Sequence, residues 1–190
     1  YYPKWDATFT SHREKPGNEK ESAVILEEER VHEYKADDNK EMFIHTYTRR
    51  LMKLNDENGV EMYNKIYIYV PNNTEVIEIK ARTRQPNGNV VNLASDKILD
   101  AEEDGKRYKK FALEGIEKGS EIEYVVHQKR PVATFGVEVF LSGKTPFEKA
   151  SFTLIVPDYL IFTVKGYNGF IAGNDTVING KRIVTRSEER

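Results

Sequence analysis

The sequence predicts an all-β domain, an antiparallel β-sandwich of immunoglobulin-like type with room for extra strands and at most a short helix. Three observations predict it. Apolar side chains recur at every second position over much of the chain, which is the period of a strand whose successive side chains face opposite ways. Turn dipeptides (Asn58-Gly59, Asn87-Gly88, Asn179-Gly180) fall between such runs, as hairpins require. The chain has 190 residues, 38% hydrophobic and 32% charged, so it is long enough to bury a core and too apolar to stay disordered.

Residues 1–21 read as an N-terminal arm or linker, because TSHREKPGNEKE at 10–21 has almost no apolar side chain. The sandwich then spans 22–190 and is expected to be excised from a larger protein. In Met42–Leu54, β-branched Ile44, Thr46 and Thr48 favour a strand over the helical stripe of Phe43, Tyr47 and Leu51. Val60–Val70 alternates as one strand, with Val60, Met62, Ile66, Ile68 and Val70 on a dry face and Tyr63, Tyr67 and Tyr69 on the other. Ile77, Ile79 and Ala81 alternate with Glu78, Lys80 and Arg82, and Ser95–Glu103 could open as a short helix capped by Ser95 or Asp96. Ile122, Tyr124 and Val126, then Ala150, Phe152, Leu154 and Val156 before Pro157, complete the inward set.

Composition excludes several chemistries. The chain contains no cysteine, so disulfides, thiol nucleophiles and cysteine zinc sites are impossible within it. The formal net charge of −2 offers no broad field for nucleic acid. No apolar run is long enough to span a bilayer, and YYPKWDATF carries no signal core, so an exported form would be a processed one.

Local motifs are incomplete. Leu141-Ser142-Gly143 lacks the first glycine of a nucleophile elbow, and Glu138 stands where a P-loop ending in Gly143-Lys144-Thr145 needs glycine. His32-Glu33 begins like a zinc-protease helix, but Ala36 replaces the second histidine. His127 shares an outward face with Glu123 and reads as a solvated histidine. Asp100, Glu102, Asp104 and Gly105 resemble the start of a calcium loop, yet Phe111 occupies the place of the bidentate glutamate. Lys106–Lys110 reads as an edge strand guarded by lysines. No catalytic residue, cofactor site or metal site is therefore assigned. Tyr63, Tyr67 and Tyr69 form the candidate interaction surface, since aromatics anchor interfaces and stack on sugars.

SAVILEEERVHEY, LMKLNDENGVEMYNKIYI, IKARTRQPNGNVVNLASDKILD, FALEGIEKGSEIEYVV and TPFEKASFTLIVPDYL follow one another between Ser22 and about Gly169. In order and spacing this stretch resembles the domain of unknown function that precedes the transglutaminase-like core in envelope proteins of certain Gram-negative bacteria. Pro86-Asn87-Gly88 and Lys118–Tyr124 carry the resemblance best. It implies a β-sandwich exported to the periplasm or cell surface, followed by a core with a papain-like Cys-His-Asp arrangement. It supplies no site residue here and leaves 1–21 unexplained.

The expected function is that of a non-catalytic accessory domain, packing against a downstream transglutaminase-like or protease-like core or presenting it to an envelope protein or glycan. The alternative is a carbohydrate-binding module using surface tyrosines. A free-standing hydrolase would need two carboxylates facing across a cleft.

Overall fold

The computed structural model describes residues 2–6, 8–12, 14–132 and 145–189. The motifs at Glu138 and at 141–144 lie outside them. The described residues form an all-β sandwich of two unequal sheets. The strands are β1 (Ala23–Ala36), β2 (Met42–Leu54), β3 (Lys65–Val70), β4 (Glu75–Arg84), β5 (Val90–Asn92), β6 (Leu99–Glu103), β7 (Lys106–Ala112), β8 (Glu121–Pro131), β9 (Lys149–Pro157), β10 (Ile171–Ile178) and β11 (Lys181–Glu189). The large sheet runs β10-β11-β9-β1-β2-β8-β4-β5, and the small sheet runs β3-β7-β6. Among the described strands only β1 and β9 pair in parallel; the remaining pairs are antiparallel.

The inner face of the large sheet follows the predicted alternation. Met52 lies opposite Ile122, and Ala81 opposite Tyr124. The small sheet closes over this end with Ile66 and Phe111, making one core with Ile25, Leu54, Val126 and Phe147. A fully buried Ile or Leu in such a layer contributes about 1.5–3 kcal/mol. At the other end Tyr34, Ile44, Leu154, Val156 and Val184 form a second cluster. Leu160, Phe162 and Val164 cover it in place of a sheet, while the alternate residues Tyr159 and Ile161 face solvent.

Three sequence expectations need correction. Val60–Val70 is not one strand: Glu57–Tyr63 forms helix α1, and only Lys65–Val70 is extended. Asp56 starts the helix by accepting the Gly59 N–H at 2.8 Å, and Ser22 Oγ holds the same carboxylate, a standard N-cap arrangement. Gly59 lies in the helix rather than in a turn, and a Cβ there would stand 2.0 Å from the Ser22 carbonyl oxygen. Val60 and Tyr63, one turn apart, face the core, and a window this short fits both periods.

The second correction concerns β7, which is the central strand of its sheet and not an edge. The third concerns turns. Asn179 and Gly180 both have positive φ, as a type I′ turn demands. At Asn87-Gly88 only the glycine does, and Gln85 and Asn89 close a three-residue loop there. Asp104 and Gly105 are both positive and form the tip of the β6–β7 hairpin, while Asp100 and Glu102, which with them resemble the start of a calcium loop, lie in β6. The ambiguous 95–103 segment splits into a single 3-10 turn at Ser95–Lys97 and β6. In β4 a bulge between Val76 and Glu78 leaves Ile77 exposed.

Candidate functional site

The outer face of the large sheet is polar in sequence but mostly dry in space, because the arm lies across it. Phe9 inserts among Val24, Leu26 and Leu51. Trp5 and Phe9 rings lie 4.1 and 4.6 Å from the Arg82 guanidinium, a favourable cation–π geometry. Arg82 and Arg49 both bind Glu123, at 2.7 and 2.6 Å through their Nε atoms. All three are buried. Arg49 also binds Glu27 and Glu29.

At one end of the arm Tyr2 donates to Glu33, which also accepts from Lys181. The Tyr2 ring meets Tyr47 edge-on at 5.0 Å. Tyr47 stacks on His127 at 4.1 Å, and His127 Nε2 lies 2.9 Å from His45 Nδ1. His127 does share the face of Glu123, but it is half-buried rather than solvated. Burial lowers the pKa of both histidines; the charge of Lys35 adds to this at His45, and that of His45 adds to it at His127. Burial alone would raise Glu33, but hydrogen bonds from Lys181 and Tyr2 hold it below the usual carboxylate range.

Near the other end of the arm, Ser11 Oγ donates to Glu121 Oε1 at 2.9 Å, and His12 Nδ1 lies 3.1 Å from Oε2. These hydrogen bonds outweigh burial and hold Glu121 low. The carboxylate sits between the hydroxyl and the imidazole, so the serine is not on the histidine as nucleophilic catalysis requires. The depression here, of about 520 Å³, is lined by Ser11, His12, Glu14, Pro16 and Glu19 of the arm and by Lys53. His32 and Glu33, adjacent on β1, point to opposite faces. Among the described residues no cluster of His, Asp and Glu could hold a metal ion, and no helix is long and apolar enough to cross a membrane.

The predicted tyrosine surface is only partly assembled. Tyr63 ends α1, packs on the core and hydrogen-bonds Thr145 at 2.6 Å. Tyr67 and Tyr69 stand on the outer face of the small sheet, 44% and 51% exposed. Their neighbour is Tyr108, paired with Tyr69 across β3 and β7. Its ring lies 6.2 Å from Tyr67 at 84° and 5.7 Å from Tyr69 at 54°. The sequence shows Tyr108 as the aromatic of a basic run, Lys106–Lys110, and does not join it to the tyrosine face. The Asp104-Gly105 hairpin was the signal that could have placed it.

The chain belongs to the DUF3857 family, a domain of unknown function, whose profile matches residues 44–189. No curated relative matches it in sequence. Among solved structures it is similar to a protein from Parabacteroides distasonis, provisionally described as a protease, with TM-score 0.69 and 12% identity over 88% of this chain and 35% of that one. It is also similar to an M1 zinc metallopeptidase from Deinococcus radiodurans, with TM-score 0.50 and 9% identity over 87% of this chain and 39% of that one. At these identities the likeness is one of fold. The chain spans well under half the length of either.

Proposed function

We propose that this chain is a non-catalytic accessory domain that packs against a further domain of the same polypeptide. The observation that carries the reading is an apolar margin on the β9–β11 wing. Tyr159, Ile161, Tyr167, Ile171, Val177 and Ile178 are all exposed there. Hydrogen bonds and strand register hold their segments side by side, with side chains on both faces of β10: Asp158 binds Gly180, Arg182 binds the Phe162 carbonyl and pairs with Val177, and Phe170 binds Tyr167. Large apolar side chains left exposed in one region of a domain mark an interface. Ile171 pairs with Ser187, so the margin runs beside the last strand.

Family membership and the partial coverage of longer peptidase chains support the reading. The earlier resemblance adds a transglutaminase-like core and an exported location. Carbohydrate stacking is less favoured, since the tyrosine rings are tilted against one another and form no flat platform.

Two measurements test this. Residues 1–190 alone should hydrolyse neither casein nor acidic polysaccharide, and measurable turnover would overturn the non-catalytic role. Hydrogen exchange at 159–178 should slow in the longer natural polypeptide relative to residues 1–190. Equal exchange in both would overturn the packing.

A further inference from the structure

We propose that the outer face of the small sheet docks an acidic polypeptide segment carrying an aromatic or apolar side chain. This goes beyond the wing contact and can fail independently of it.

The strand register defines the face. Lys65 pairs with Ala112, Tyr67 with Lys110 and Tyr69 with Tyr108. Across the other side of β7, Lys110 pairs with Leu99, Tyr108 with Ala101 and Lys106 with Glu103. Directly paired residues of antiparallel strands share a face. The three tyrosines and exposed Leu99 are therefore framed by Lys65, Lys106 and Lys110, with Glu103 the one acid among these paired positions. None of the three lysines has an ion pair among the described residues. Lys109, on the opposite face, is held by Asp100 at 2.7 Å. The patch reverses the sign of a chain in which acids outnumber bases 31 to 29.

The ring geometry selects the occupant. A sugar ring stacks on an aromatic face lying along the surface. Here Tyr108 stands at 84° to Tyr67 and 54° to Tyr69, so the surface is toothed. Such a surface receives a single side chain between rings, the usual form of an aromatic interface anchor. The lysines steer an acidic segment towards it. The mount is firm: Gln128 on β8 donates to the Tyr69 carbonyl at 2.9 Å, and Ile66 and Phe111 root the sheet in the core.

The test uses fluorescence anisotropy with labelled random copolymers. A glutamate–tyrosine copolymer should bind the chain more tightly than polyglutamate, and a lysine–tyrosine copolymer should not bind. Binding should weaken at high salt. The Tyr67→Ala/Tyr69→Ala double variant should lose about tenfold in affinity while keeping the parent thermal melt. If that variant melts differently, Lys65→Glu/Lys110→Glu serves instead, with the same loss expected. Absence of binding to the glutamate–tyrosine copolymer, or unchanged affinity in a folded variant, would overturn the proposal. Binding of alginate as tight as that of the copolymer would also overturn it, in favour of an anionic glycan.

Discussion

The two sheets present outer faces that look alike in sequence and differ in space. On the large sheet, Arg49, Arg82, Glu121 and Glu123 are charged, yet all four are buried on the face that the arm crosses. On the small sheet, Tyr67 and Tyr69 are large aromatics, yet they remain about half exposed. Strand periodicity assigns a side chain to a face, but cover depends on what segment crosses that face. A charge lying under Trp5 and Phe9 is structural, whereas a tyrosine left bare can meet a partner.

The largest effect expected from this contrast is at Glu123. Glu123→Ala leaves the Arg49 and Arg82 guanidiniums buried without their shared counter-charge, a loss of about 3–5 kcal/mol in a urea titration. A loss below about 1 kcal/mol would mean that water reaches this face despite the arm.

Acidification should come next. His45 and His127 are held below the ordinary value of 6.5, so the folded chain favours their neutral forms. The stability they contribute is full above that value and is lost as pH falls through the lowered folded values. Glu33 and Glu121, held below 4.5, add a second loss at lower pH by the same sign. Thermal melts should therefore fall in two steps from pH 7 downwards. Limited proteolysis should cut residues 2–21 more readily after the first step. A flat melting profile between pH 7 and 5 would remove the histidine pair from the account.

The smallest effect is expected on the bare sheet. Tyr69→Ala should change stability by no more than about 0.5 kcal/mol. A loss near that of Glu123→Ala would show that the tyrosine face is covered after all.

Much of the fold was legible because burial on one side of a strand enforces period two. The β8 triplet Ile122, Tyr124 and Val126 and the β9 run ending at Pro157 behave as their spacing implies, and Met42–Leu54 is the strand that its β-branched residues favoured over a helical spacing. The failures share a cause. In α1, the Asp56 cap and the approach of Gly59 to Ser22 select a helix where alternation also fitted. In β7, a lysine-rich composition suggested an edge, but β6 pairs with it through the hairpin on one side and β3, from distant sequence, covers the other. Of the candidate site, Tyr67 and Tyr69 were legible from alternation. Tyr63 was misplaced by the same helix, and Tyr108 became visible only through the register of the hairpin. The arm's place could not be read, because few apolar anchors, Phe9 chief among them, decide where a mostly polar segment lies.

The parallel pairing of β1 with β9 has a consequence for synthesis. One flank of β1 is satisfied early, when β2 folds back on it, but the other waits until residues 149–157 leave the ribosome. Until then a long strand rich in Val, Ile and Leu at its start displays unpaired amide and carbonyl groups, a template for association between nascent chains. Chains stopped before Lys149 should therefore aggregate where the finished domain does not, with β9 acting as the seal on the first strand.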